Sequence, residues 1–314
     1  MIRVEDLLRI DPAQEEQKII SFLKGGLKDL NRGGAVIGLS GGLDSSACAY
    51  ILRKALGKDK ILALILPERD SSKVNMEHAR LVAKNLDLHV EEIDLTGILE
   101  RIGVYNLISE KEAADRKPLE ALIKKISRLT GKPSLFSTGI SLMYGAEQGA
   151  FKKLAMTFLG DYLSRFPAFA LTKVRVRMVL LYFHAMLHNY AVIGTTDKTE
   201  WTLGFYDKYG DGADDITLLR QLYKTQIRRL ASFIGVPEAI ISKPSSADLI
   251  AGLPNESLIG FTYEQLDSIL CCLEHGFSEK EIIQMLGLSQ KAIDSIKEAI
   301  DVNKKIQSLP LALD

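Results

Sequence analysis

Ser40, Gly41, Gly42, Leu43, Asp44, Ser45 and Ser46 form one block, SGGLDSS, in which most residues can hold an anion or a cation. Two adjacent glycines let the backbone approach a bulky anion and turn its N–H groups inward. The serines add hydroxyl donors, and the segment that follows reads as a helix whose positive end points at the same spot. Phosphate is the natural guest. Asp44 is out of place in such a pocket unless a divalent cation stands between its carboxylate and the phosphate oxygens. The block therefore points to a magnesium–nucleotide site, with a plain glycine turn and Ser/Asp helix cap as the structural alternative. Nothing matches the common phosphate loop GxxxxGK[ST], so an ordinary kinase or GTPase finds no support.

Other charges stand where an ATP enzyme would need them. Glu200, after a segment that reads as a strand, could join Asp44 as a second oxygen ligand, since hard divalent cations take carboxylates and phosphate oxygens together. Lys224, Lys208, Arg175 and Arg177 offer positive charge for phosphates. Singly, each is more economically a solvated charge. His184 and His188 are spaced i, i+4, which could hold zinc, but no HExxH carboxylate accompanies them and they read as polar residues on a helix surface. Cys48, Cys271 and Cys272 make no disulfide or metal framework and read as core residues of a protein in a reducing cytoplasm.

Composition excludes several classes. Forty basic and forty acidic side chains give zero net charge, so no bulk attraction to nucleic acid or anionic membrane is expected. Asp6, Arg9, Asp11, Glu15 and Glu16 interrupt the N-terminal apolar runs, which argues against a signal peptide. No apolar stretch reaches membrane-spanning length.

The elements that must position these residues follow from hydrophobic periodicity. A helix over Asp11–Asn31, capped by Asp11, leads into a buried strand at Ala35–Leu39. A helix over Ala47–Leu56, a strand over Ile61–Glu68, a helix over Met76–Leu86 and a strand over Leu88–Leu95 come next. Strands alternating with helices predict an α/β fold: a doubly wound, mainly parallel sheet with helices on both faces, whose ligands bind beyond the carboxyl ends of the strands. Phe151, Leu154, Ala155, Phe158, Leu159, Tyr162, Leu163 and Phe166 fall on one helical face, which reads as core or subunit interface. Thr172 is expected to cap a second helix ending at His188, followed by a strand over Tyr190–Asp197. A glycine- and aromatic-rich loop follows Asp197, then a helix over Leu218–Ile234 and two C-terminal helices, Thr262–His275 and Ser278–Ala299. The chain is expected to form a single domain over residues 1–314, with a partly helical insertion at about 101–171.

SGGLDSS after a strand resembles the loop of the ATP pyrophosphatases. Together with KVRVRM (173–178), VIGTTDKTE (192–200), YDKYGDGADD (206–215), LYKTQIRRLASFIGVP (222–237), KPSSADL (243–249) and GFTYEQLD (260–267), it resembles the NAD synthetase family over residues 17–96 and 172–270. That resemblance implies an adenine nucleotide alpha hydrolase-like fold and a ligase that adenylates the carboxylate of deamido-NAD with ATP, releases pyrophosphate, and lets ammonia displace AMP. It implies that residues 40–46 hold the ATP phosphates, that Asp44 and Glu200 bind magnesium, and that Arg175, Thr195, Lys224 and Ser246 contact ATP or the reacting phosphates. Arg175 is alternatively placed on the dinucleotide, with Lys208 and Asp215. A homodimer and a cytoplasmic setting are further implications, with ammonia free or supplied by a glutaminase partner. The insertion, AFALT before KVRVRM, IAGLPNESLIG after KPSSADL and the NKKIQSLPLALD tail depart from the family pattern. They favour, as an alternative, a ligase or amidotransferase of the same chemistry for another carboxylate. A tRNA-modifying relative would want a basic RNA-binding face and accessible paired cysteines, neither of which the sequence offers.

Overall fold

The computed structural model describes residues 3–109, 150–246 and 254–310. Among them five strands form one all-parallel sheet: β1 (Gly34–Gly38), β2 (Ile61–Ile65), β3 (His89–Glu92), β4 (Tyr190–Gly194) and β5 (Ile216–Thr217), in the order β3-β2-β1-β4-β5. β2 is ILALI, buried throughout, as a strand covered on both faces should be. Alternation along the strands feeds two cores. Ala35, Ile37, Ala63, Ile65 and Ile193 face a layer made by α2 (Pro12–Asp29), α3 (Leu43–Leu56), α4 (Lys73–Asn85) and α8 (Lys224–Ile234). Val36, Leu62, Leu64 and Val192 face the other layer, made by α5 (Thr96–Ile102) and α6 (Ala150–His188). A third cluster packs α1 (Val4–Leu7) and α7 (Lys198–Leu203) against α10 (Asn255–Ile259), α11 (Tyr263–Glu274), α12 (Glu279–Leu286) and α13 (Gln290–Gln307). The short α9 (Glu238–Ile241) buries Ile240 in the first core.

β1 has β2 on one side and β4 on the other, so the strand order reverses there. In a doubly wound sheet that reversal opens a crevice beyond the carboxyl ends. The Ser40–Ser46 block is the turn from β1 into α3 and lies at this point.

Several expectations need correction. The helix pair divided near Thr172 is one helix, α6, which runs 39 residues through Pro167. Proline usually ends a helix, but tertiary contacts hold this one together: Phe169 and Ala170 are buried, and buried Lys173 donates to Glu68 Oε1 (3.2 Å) and Asp70 Oδ2 (2.7 Å). Tyr105 completes this network by donating to Glu68 Oε2 at 2.7 Å. The expected apolar face from Phe151 to Leu163 lies outside the described side chains. The helix expected from Leu218 begins only at Lys224; Leu218, Leu219, Leu222 and Tyr223 form a buried connection after β5, a two-residue strand too short to show a period. The last expected helix is two, divided at Gly287 in the left-handed conformation and restarted where Ser289 caps α13 by accepting from Ala292 N–H. No described helix is long and apolar enough to cross a membrane.

Candidate active site

The turn after β1 depends on Gly41. Its φ is +71°, and a Cβ at that position would fall 2.0 Å from the Asn75 carbonyl oxygen on α4. Only glycine fits both the conformation and the approach. The serines then order the loop. Ser40 and Ser45 hydroxyls hydrogen-bond at 2.9 Å, Gly42 N–H donates to Ser40 Oγ at 3.2 Å, and buried Ser46 donates its hydroxyl to Gly42 O at 2.7 Å. Ser46 therefore braces the turn from inside. Lys243 closes its outer side, donating to Gly41 O (2.8 Å) and Asn75 Oδ1 (2.5 Å).

Behind the turn three elements converge. Asp44 lies in the first turn of α3, Asp197 and Glu200 belong to the capping box of α7, and Lys224 is the first residue of α8. Asp197 Oδ1 accepts from Glu200 N–H (2.7 Å) while Glu200 Oε2 accepts from Asp197 N–H (3.3 Å), which fixes both side chains. Lys224 Nζ then meets Asp197 Oδ2 at 2.6 Å, Asp44 Oδ2 at 2.8 Å and Glu200 Oε1 at 3.0 Å. Burial alone would lower the Lys224 pKa, but the three carboxylates outweigh it and raise it well above its ordinary value. Burial, reinforced by Asp197, pushes Glu200 well up, and burial raises Asp197 to about 6. Three carboxylates thus converge on one ammonium.

A second buried carboxylate holds the frame. Asp267 of α11 accepts from Thr225 N–H (2.7 Å) and from the Thr199 hydroxyl, and Lys224 N–H donates to Thr199 Oγ1 at 3.4 Å. Asp267 thus ties the start of α8 to α7, and with them Lys224 to Glu200.

In front of the cluster is a cavity of about 380 Å³. Of the expected site residues, Ser40, Gly42, Leu43, Asp44, Ser45, Thr195, Glu200 and Ser246 line it. Gly194, also in its wall, ends β4 where a Cβ would collide with the Asp214 carboxylate. Lys224 touches the lining through Asp44 and Glu200. Three expected residues are placed elsewhere. Arg175 makes a two-pronged ion pair with Asp207 (2.8 and 3.0 Å), and Lys208 donates to the Ile306, Gln307 and Leu309 carbonyls. Asp215 accepts from Val192 N–H (2.8 Å) and Tyr182 OH (3.3 Å), anchoring β4.

Asp197, Lys243 and Asp267 were not singled out from sequence. The Asp197–Glu200 spacing is a capping-box signature, whereas Lys243 and Asp267 act through contacts 165 or more and 42 or more residues away along the chain.

A model of the NAD synthase family matches residues 15–125 and 167–310. The NH3-dependent NAD+ synthetase of Thermotoga maritima is 35% identical over 303 residues, covering 95% of this chain and 99% of that protein. That of Methanocaldococcus jannaschii is 33% identical over 293 residues, 93% of each. Among solved structures, an NMN synthetase from Francisella tularensis superposes with a TM-score of 0.70 at 23% identity, covering 98% of this chain and all of that one. An NH3-dependent NAD synthetase from Campylobacter jejuni gives 0.63 at 24% identity with the same coverage. At those identities the two structures speak to the fold.

Proposed function

The chain belongs to the NAD synthase family, and on that premise we propose that it is an ammonia-dependent NAD synthetase, a ligase that uses ATP to convert the carboxylate of deamido-NAD to an amide. A carboxylate is a poor acyl donor until its oxygen becomes a good leaving group. Attack of that oxygen on the α-phosphorus of ATP expels pyrophosphate and leaves an acyl adenylate. Ammonia then adds to the acyl carbon, and AMP departs. The observation that carries this proposal is the meeting of the Ser-Gly turn, Asp44 and Glu200 at one cavity on the sheet's switch point.

The residues present suit magnesium. Asp44 Oδ1 is buried without a hydrogen-bond partner among the described residues, and the carboxylate oxygens gathered there are the donor type that a hard dication takes. Asp44 and Glu200 would hold the ion, which when bound neutralises charge on the phosphates and the departing pyrophosphate. Ser40, Ser45 and the backbone of the turn bind and orient the phosphate chain, while Gly41 lets that backbone take its shape. Lys224, fully buried against three carboxylates, holds Asp44 and Glu200 in place at the cavity wall. Thr195 and Ser246, also in the lining, offer hydroxyl donors.

The nucleotide-to-amide assignment is tested by incubating purified protein with ATP, deamido-NAD and an ammonium salt. NAD, AMP and pyrophosphate are expected in equal amounts; ATP consumption without NAD would overturn the choice of acid. A second reading, a ligase of the same chemistry for another carboxylate, is favoured by Lys208, whose ammonium is occupied by the chain's own C-terminal carbonyls instead of lining the cavity. A screen of carboxylic acids for AMP release separates the two. We further propose a homodimer. Val179, Phe183, Met186 and Leu187 are exposed on one face of α6, at i, i+4, i+7 and i+8, and a second copy would cover them. Arg175, Lys208 and Asp215 would then serve a dinucleotide site completed at that interface. Three buried free cysteines support a reducing cytoplasmic setting, with ammonia free or delivered by a glutaminase.

A further inference from the structure

On the far edge of the sheet, away from the cavity, Glu91, His184 and His188 come together, and their ligand atoms all lie within 4.8 Å of one another. Two elements bring them there. His184 and His188 are one turn apart near the end of α6, which places them on one face of the helix. Glu91 pairs with Leu64 in the register of β2 and β3, which turns its side chain toward the face that α6 covers. The carboxylate missing from the local sequence is thus supplied by the edge strand.

The internal chemistry of this cluster is incomplete. His184 is buried, yet its Nδ1 has no hydrogen-bond partner among the described residues. Glu91 Oε2 stands 3.5 Å away, outside a hydrogen bond. With metal–ligand bonds of about 2.0–2.2 Å, however, two ligands of a tetrahedral ion sit about 3.3–3.5 Å apart. The spacing that fails as a hydrogen bond therefore fits the edge of a coordination sphere. Aromatic rings steady both imidazoles: Phe183 meets His184 edge-on at 5.2 Å, and Tyr190 lies 5.7 Å from His188. His188 is exposed, so an ion can reach the cluster from solvent.

We propose that Glu91, His184 and His188 bind a zinc-class divalent cation, clamping edge strand β3 to the end of α6. Two imidazoles and a carboxylate suit zinc or its neighbours better than magnesium, which takes oxygen ligands. None of the three residues lines the active cavity, so this ion is separate from any that works on ATP.

The test is zinc titration of the tag-free, chelator-stripped full chain in competition with a chromogenic chelator, alongside His188→Ala and Glu91→Gln. Wild type is expected to take up one tight equivalent and to rise in Tm with zinc. Each variant should bind at least about 10- to 100-fold more weakly, the cost seen even for loss of an outer-shell partner, and lose the Tm rise while keeping ligase activity in magnesium. Wild-type affinity in both variants, or no tight equivalent in wild type, would overturn the proposal.

Discussion

Lys224 is fully buried, and its ammonium is held by Asp44, Asp197 and Glu200. Removing one member of a buried ion cluster costs about 3–5 kcal/mol, because the others are left uncompensated in low dielectric. Lys224→Met is therefore expected to lose that much stability in urea unfolding near neutral pH as well as all turnover. Adding Asp197→Asn should restore part of the stability and none of the turnover. A singly substituted protein as stable as wild type would show the cluster to be solvated in solution. At this scale much was legible: SGGLDSS, Glu200 and Lys224 come together as their chemical types suggest. Arg175, Lys208 and Asp215 are different. Their charges are visible in the sequence, but their partners, Asp207, the C-terminal carbonyls and the backbone of β4, are set by packing that no local pattern records.

Two helix starts and one distant helix make the site rigid. Asp267 on α11 joins Thr225 N–H on α8 to the Thr199 hydroxyl on α7, and burial raises its pKa above the ordinary 3.8. A carboxylate whose folded pKa lies above the unfolded one favours folding most when protonated. Its contribution is full below about pH 4 and is lost as pH rises through the folded value. Asp267→Asn, which keeps an acceptor for Thr225, should flatten the decline of unfolding free energy with pH above that point; parallel pH profiles would contradict the assignment. The strands β1, β2 and β4 were readable as short apolar runs, and the helix α2 from its apolar period and the Asp11 cap. α6 was not, since Pro167 signals a break locally while Phe169 and the Lys173–Glu68–Asp70 network override it from elsewhere in the fold. β5, at two residues, is defined by its pairing with β4 and carries no pattern of its own.

At the scale of the whole molecule, the exposed apolar face of α6 predicts association. Phe183→Glu places a charge in its centre and is expected to convert a dimer to a monomer in light scattering while leaving the fold intact. A monomeric wild type would remove the basis for a shared dinucleotide site. The cavity at the switch point is expected to split ATP at its inner phosphate bond, with Asp44 indispensable to it. The most direct test follows ATP labelled at the α-phosphate with deamido-NAD and ammonium present, in wild type and in Asp44→Asn. Label should pass to AMP in step with NAD in wild type and stay in ATP in the variant. Label appearing in ADP, or equal AMP formation by both proteins, would contradict the account.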